Sequence, residues 1–163
     1  MVPDALVWTV WSTAFLAVWI VVYARFAKRR RMMLWASLFT APLGLTEPLF
    51  VPEYWNPLGF FGLAQRTGFD VESLIFCFAI GGIAAVAYPP LFQQKERRIC
   101  PEMRAGGPHR YHRLALATPL IVFVLFSLGP WNAIYSGIAA MLAGGLATML
   151  SPFLRTPFLR ALG

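Results

Sequence analysis

Charge is what this sequence has least of: only 13% of its 163 residues are Asp, Glu, Lys or Arg, against 58% hydrophobic, and the mean hydropathy is +0.62. That composition excludes an ordinary water-soluble domain and leads us to expect a membrane protein. Acidic residues are scarcest, seven against fourteen Lys and Arg. In a soluble chain that excess would suggest nucleic acid, but here the cations cluster beside apolar runs, so no nucleic-acid partner is expected. There is no glycine-rich phosphate loop following a strand, which excludes a flavin-binding architecture, and no cofactor is expected. The two cysteines, Cys77 in an apolar run and Cys100 in a charged one, would lie at different depths and read as free thiols. His109 and His112 have ligand-like spacing in "PHRYH", but a basic juxtamembrane loop explains them more simply, and no metal site is expected. Ser and His never fall in a triad-like context. The N-terminal "MVPDALVWTVW" lacks the basic leader and small-residue cleavage site of a secretory signal, so the first apolar run reads as a retained anchor.

What is present is a series of long apolar runs. A membrane-crossing helix needs about 20 mostly apolar residues, and five candidate runs lie near 5–26, 32–51, 71–92, 114–129 and 133–153. The expectation is an all-α bundle of about five transmembrane helices forming one membrane domain over 1–163. Arg25 and Lys28 to Arg31 fall between the first and second runs. Lys95, Arg97, Arg98, Arg104, Arg110 and Arg113 fall between the third and fourth, and Arg155 and Arg160 follow the fifth. Arg66 alone lies on the other side. Cations mark cytoplasmic loops, so an N-terminus outside and a C-terminus in the cytoplasm satisfies the pattern, in a multi-pass bacterial inner (cytoplasmic) membrane protein.

Small residues let helices approach closely in lipid. The third run carries "AIGGIAAVA"; the fifth repeats small side chains at Ala139, Ala143 and Ala147 and at Ser136, Ala140, Gly144 and Thr148. These faces imply a packed bundle and leave room for a homo- or hetero-oligomer. The second and fourth runs share a proline near the start and a proline and "WN" near the end, a faint pattern of the kind a decayed internal duplication would leave.

An ionised side chain at the centre of a membrane helix costs about 2.5–3.5 kcal/mol, so each one is a functional candidate. Glu47 lies between prolines in the outer part of the second run, where a kink would line an interior site. Glu72 opens the third run, either as a first-turn carboxylate with Asp70 or Thr67 as cap or as a functional acid; Glu53 lies in the loop between. Phe50, Tyr54, Trp55, Phe60, Phe61, Phe69, Phe76 and Phe78 surround them in sequence, either as an interfacial aromatic belt or as walls of a site. Apolar burial keeps a carboxylic acid protonated, and aromatic faces stabilise a cation, which is what acid-initiated polyene chemistry requires.

The segments "RMMLWASLFTAPLGLTEPLFVPEYWNP" and "GFDVESLIFCFAIGGIAAVAY", within residues 31–88, resemble the integral-membrane lycopene cyclase family, the heterodimeric or fused type. In that family a Pro-x-Glu-Glu segment followed by phenylalanines opens a helix. Here "DVESLIFCF" keeps Glu72, Phe76 and Phe78, with Asp70 in place of the proline and Ser73 in place of the second glutamate. The resemblance implies a redox-neutral, proton-initiated cyclisation of lycopene or a related polyene end. It would involve Glu72, Glu47 and Glu53 as acid or base and Tyr54, Trp55, Phe50, Phe69, Phe76 and Phe78 about the substrate. Its implied partners are a carotenoid, membrane lipids and a second cyclase-like subunit. The rival expectation is a non-catalytic transmembrane subunit that binds pigment or lipid or packs within a larger complex. A small transporter is a third reading, but it would want more than one clearly intramembrane charge.

Overall fold

Four of the five apolar runs become single α-helices, the second is instead divided into an 11-residue α-helix and a 3-10 segment, and no strand occurs among the described residues, which are 4–51, 54, 59, 62–91, 111–151, 155–156 and 158–159 of a computed structural model. The chain is all-α. In order come α1 (Asp4–Arg25), a short 3-10 turn (Ala27–Arg29), α2 (Arg30–Thr40), a 3-10 segment (Ala41–Leu49), α3 (Leu63–Thr67), α4 (Val71–Leu91), α5 (His112–Ser127) and α6 (Ala133–Met149). Leu6–Arg25, with a mean hydropathy of 1.8, is long and apolar enough to cross a membrane; Val71–Ala87, His112–Ser127 and Ala133–Met149 are shorter apolar helices. The helices gather into two units, Met1–Glu96 and Arg97–Gly163.

In the first unit α1 and α2 both pack on α4. Trp8 and Phe15 of α1 each place their rings 5.3 Å from Phe76, and Trp19 lies 5.1 Å from Phe78. The Trp19 indole N–H donates to Ser37 Oγ of α2 at 2.8 Å, and both groups sit over Gly82. Thr40 Oγ1 lies 2.9 Å from the Cys77 carbonyl oxygen, over Gly81. The small residues of "AIGGIAAVA" thus receive the hydroxyls of α2, the close packing that such residues permit. At the basic end, Arg30 donates from Nε to the Tyr23 carbonyl at 2.9 Å with its guanidinium 5.1 Å from the Tyr23 ring, and Arg29 donates to the Val86 carbonyl at 3.1 Å. The Arg25–Arg31 turn thereby satisfies carbonyls near the ends of α1 and α4.

The 3-10 segment decides the site. Runs of this helix beyond 3–4 residues are uncommon, yet this one spans 9 residues, with Pro42 in its first turn and Pro48 inside it. Each proline removes an N–H donor and disfavours the α conformation in the residue before it. With about 3.0 residues per turn, every third residue falls on one edge. Ala41, Gly44, Glu47 and Phe50 therefore form one row, and Gly44 and Glu47 are buried. That row faces α4 so closely that a Cβ on Gly44 would stand 2.8 Å from the Leu74 backbone nitrogen. Because backbone, not a movable side chain, fills that space, Gly44→Ala should destabilise the fold by about 1–3 kcal/mol. Thermal unfolding in detergent, with Leu45→Ala on the exposed side as control, measures it.

The second unit is a helical hairpin. Asn132 caps α6, its Oδ1 accepting the Ile134 N–H at 2.9 Å, after a turn in which Phe126 and Trp131 rings meet at 5.6 Å. Ser136, Ala140, Gly144 and Ala147 are the buried residues of α6. A Cβ on Gly144 would lie 3.2 Å from Pro119 of α5, so the stripe beginning at Ser136 is the one that meets its neighbour.

Candidate functional site

Three carboxylates from two elements converge where the 3-10 segment meets the start of α4. The backbone N–H of Asp70 donates to Glu47 Oε2 at 2.8 Å, a bond buried within the fold. Asp70 caps α4, its Oδ1 accepting the Ser73 N–H at 2.9 Å, as an N-cap aspartate does at the third helical residue. Glu72, in the first turn, where the helix dipole favours an anion, accepts the Thr9 hydroxyl of α1 at Oε1, 2.8 Å away. Glu47, Asp70 and Glu72 are 6%, 0% and 8% exposed. Thr67, the other cap considered, instead donates within its own turn to the Leu63 carbonyl at 2.8 Å.

Beside Glu47 opens a cavity of about 340 Å³, lined by Leu43, Gly44, Glu47, Phe50, Tyr54, Ser73, Phe76 and Cys77. This is at the small end of the range for ligand pockets, and its character is typical of them: mostly apolar and aromatic with few polar groups. Glu47 presents the carboxylate, while the Phe50, Tyr54 and Phe76 rings form walls. Phe76 is held from behind by Trp8 and Phe15.

Of the residues singled out in the sequence, Glu47, Phe50, Tyr54 and Phe76 line the cavity together. Glu72 lies beside Asp70 on the α1 side and is not among the lining residues. Phe78 points to Trp19, and Phe69 is half-buried with its carbonyl accepting the Thr67 hydroxyl at 2.9 Å. Glu53, Trp55, Phe60 and Phe61 lie outside the described residues, as do Cys100 and His109. Sequence reasoning did not place Thr9, Trp8, Gly59 and Cys77 at the site, and it named Asp70 and Ser73 only as a helix cap and as departures from the family motif. The hydroxyl cluster Thr9, Ser12 and Thr13 in an otherwise apolar first run was the signal for Thr9. Ser12 is 1% exposed, its hydroxyl within 3.1 Å of the Thr9 carbonyl.

Burial pushes the Asp70 carboxyl above its ordinary value of 3.8; the Ser73 N–H opposes the shift and the neighbouring Glu72 charge adds to it. The folded state therefore keeps a proton that the unfolded chain has released. The contribution of Asp70 to stability falls as pH rises from that ordinary value through the raised one, and is flat above it. Asp70→Asn keeps the cap acceptor and should flatten that part of the stability curve. Denaturation in detergent at stepped pH reads this directly; an unchanged slope would show that Asp70 titrates as it does in water.

Comparison with family models, curated proteins and solved structures finds no significant match to this chain.

Proposed function

We propose that this chain is a multi-span membrane protein in which Glu47, facing the aromatic cavity, begins proton-initiated cyclisation of a polyene end, the chemistry of the lycopene cyclases it resembles. The observation that carries this reading is a buried carboxylate opening into an apolar space walled by Phe50, Tyr54 and Phe76. A protonated Glu47 gives its proton to the terminal C=C. The π electrons form the new C–H bond and leave a tertiary cation, which the ring faces stabilise. A second double bond attacks the cation and closes the six-membered ring. Loss of a ring proton to a carboxylate of the same cluster forms the product double bond and restores the proton count. No electron is gained or lost.

Supporting a membrane setting is an inverted distribution of side chains. Leu116, Met141 and Leu146 are 67%, 77% and 71% exposed, whereas Ser12, Ser37, Ser136 and Ser151 are at most 1% exposed. Water would penalise that much exposed apolar surface; lipid does not. Five spans with the N-terminus outside match the cation distribution.

Co-expression in a lycopene-producing bacterium tests the activity. Conversion to γ- or β-carotene is expected. Unchanged lycopene with the protein correctly inserted, and no rescue by a family partner, would favour the second reading, a pigment- or lipid-binding subunit. Ser73 favours that reading, because it lines the cavity where the resemblance implies a second glutamate.

A further inference from the structure

The end of the first unit away from the carboxylates carries five cations within residues 25–31, and no acidic residue lies between Asp4 and Glu47 in the chain. Two of the five are used inside the fold. Arg29 donates to the Val86 carbonyl at 3.1 Å, and Arg30 donates to the Tyr23 and Ala24 carbonyls at 2.9 and 3.2 Å. Val86 follows Glu72 on α4 by roughly four turns, so about 21 Å of helix separates this turn from the acidic cluster. The other three cations, Arg25, Lys28 and Arg31, are exposed, and their side chains make no hydrogen bond or ion pair among the described residues.

Arg31 also heads a strip along α2. Trp35, Leu38 and Phe39 follow it on one helical face and are 65%, 58% and 60% exposed. Met33 and Ser37 fall on the opposite face and are buried, Met33 with Trp19, Ala79 and Val86. Over about 12 Å of helix the outer strip therefore passes from a cation to an indole to apolar side chains. A phospholipid lying alongside has the same order: headgroup, an interfacial level at which Trp is favoured, then acyl chain. Charge selects the headgroup, because unneutralised cations attract a net anionic one and gain little from a zwitterionic one. A soluble polyanion would meet the cations but leave Leu38 and Phe39 bare.

We propose that this turn and strip dock an anionic phospholipid, its phosphate among Arg25, Lys28 and Arg31 and an acyl chain along Trp35, Leu38 and Phe39. The inference rests on the membrane setting proposed above and not on cyclisation. Arg29 and Arg30 serve the site indirectly, by holding the turn to α1 and α4.

The test uses the full chain in phosphatidylcholine vesicles containing brominated phosphatidylglycerol or brominated phosphatidylcholine. The Trp35 share of the fluorescence, wild type minus Trp35→Phe, reports quenching at the strip itself. Each cation near an anionic lipid contributes about fivefold, so three should make phosphatidylglycerol quench at about 10²-fold lower mole fraction than phosphatidylcholine. Replacing Arg25, Lys28 and Arg31 together by Gln should remove that preference, Arg31→Gln alone should cut it about fivefold, and Arg66→Gln should leave it unchanged. Equal quenching by the two lipids, a preference that survives the triple change, one lost in Arg66→Gln, or one abolished by free glycerol phosphate would each overturn the proposal. If the triple variant fails to fold by circular dichroism, Arg31→Gln decides the matter. Alkaline carbonate extraction separates this site from the reading beneath it. Release of the chain from membranes would overturn both, whereas a retained chain without lipid preference would overturn the site alone.

Discussion

Glu47→Gln is expected to lower polyene cyclisation by about 10²–10⁴-fold, the usual contribution of a positioned general acid, while leaving helix content and membrane insertion unchanged. The substitution is nearly isosteric. Its amide oxygen still accepts the Asp70 N–H that holds Glu47 Oε2 at 2.8 Å, so the row Gly44, Glu47, Phe50 keeps its seat on α4. What is lost is the exchangeable proton facing the cavity. The comparison with Glu72→Gln assigns the roles. Glu72 is tied to Thr9 at 2.8 Å and lies off the cavity wall, so if it acts on substrate at all it does so through the cluster. The family resemblance puts the acid at Glu72 and expects Glu72→Gln to abolish cyclisation. The cavity geometry expects the larger loss at Glu47. Pigment analysis of the two variants in a lycopene-producing host, with membrane fractions quantified, separates these outcomes. Full activity in Glu47→Gln would remove it as proton donor.

Tags on the two termini are expected to report opposite compartments, an all-or-none result. Thirteen of the fourteen Lys and Arg fall at 25–31, 95–113 and 155–160, and five crossings put all three groups on the cytoplasmic side with Arg66 alone opposite. The same arrangement has a mechanical consequence. In the proposed five-span arrangement the second crossing would run outward and the third inward, so the end of one and the start of the other would share a depth. Glu47 and Asp70 meet there, 23 residues apart in sequence. Reporter fusions active only in the cytoplasm or only in the periplasm give the answer. Both termini on one side would require an even number of crossings and would end the five-span proposal.

The sequence by itself determined the helices. Apolar runs mark α1, α4, α5 and α6 to within a few residues, because backbone groups surrounded by apolar side chains must pair within their own segment. It also narrowed the start of α4 to a cap at Asp70 or Thr67, and the structure shows that Asp70 caps α4 through the Ser73 N–H while Asn132, the last residue of "GPWN", caps α6, both by local hydrogen bonds. Two small-residue stripes on α6 were legible, though not which of them would meet α5.

Only the tertiary structure decided the site. An α-helical reading of residues 41–49 turns Gly44, Glu47 and Phe50 progressively off one face, since three residues fall short of its turn of about 3.6. The prolines and the backbone contact of Gly44 with Leu74 draw the segment into a 3-10 helix, where three residues complete a turn and all three residues line the cavity. Phe76 and Phe78 are two apart on α4 and therefore point in different directions, one to the cavity and one to Trp19. Nothing local to "DVESLIFCF" tells which goes where, because the choice rests on where α1 packs. The burial of Asp70 beside Glu72 follows from Gly59 lying over both, a contact between residues whose sequence neighbours give no sign of it. Helices follow from local pattern, whereas a carboxylate's partners, and so its protonation, follow from which distant segments are packed against it.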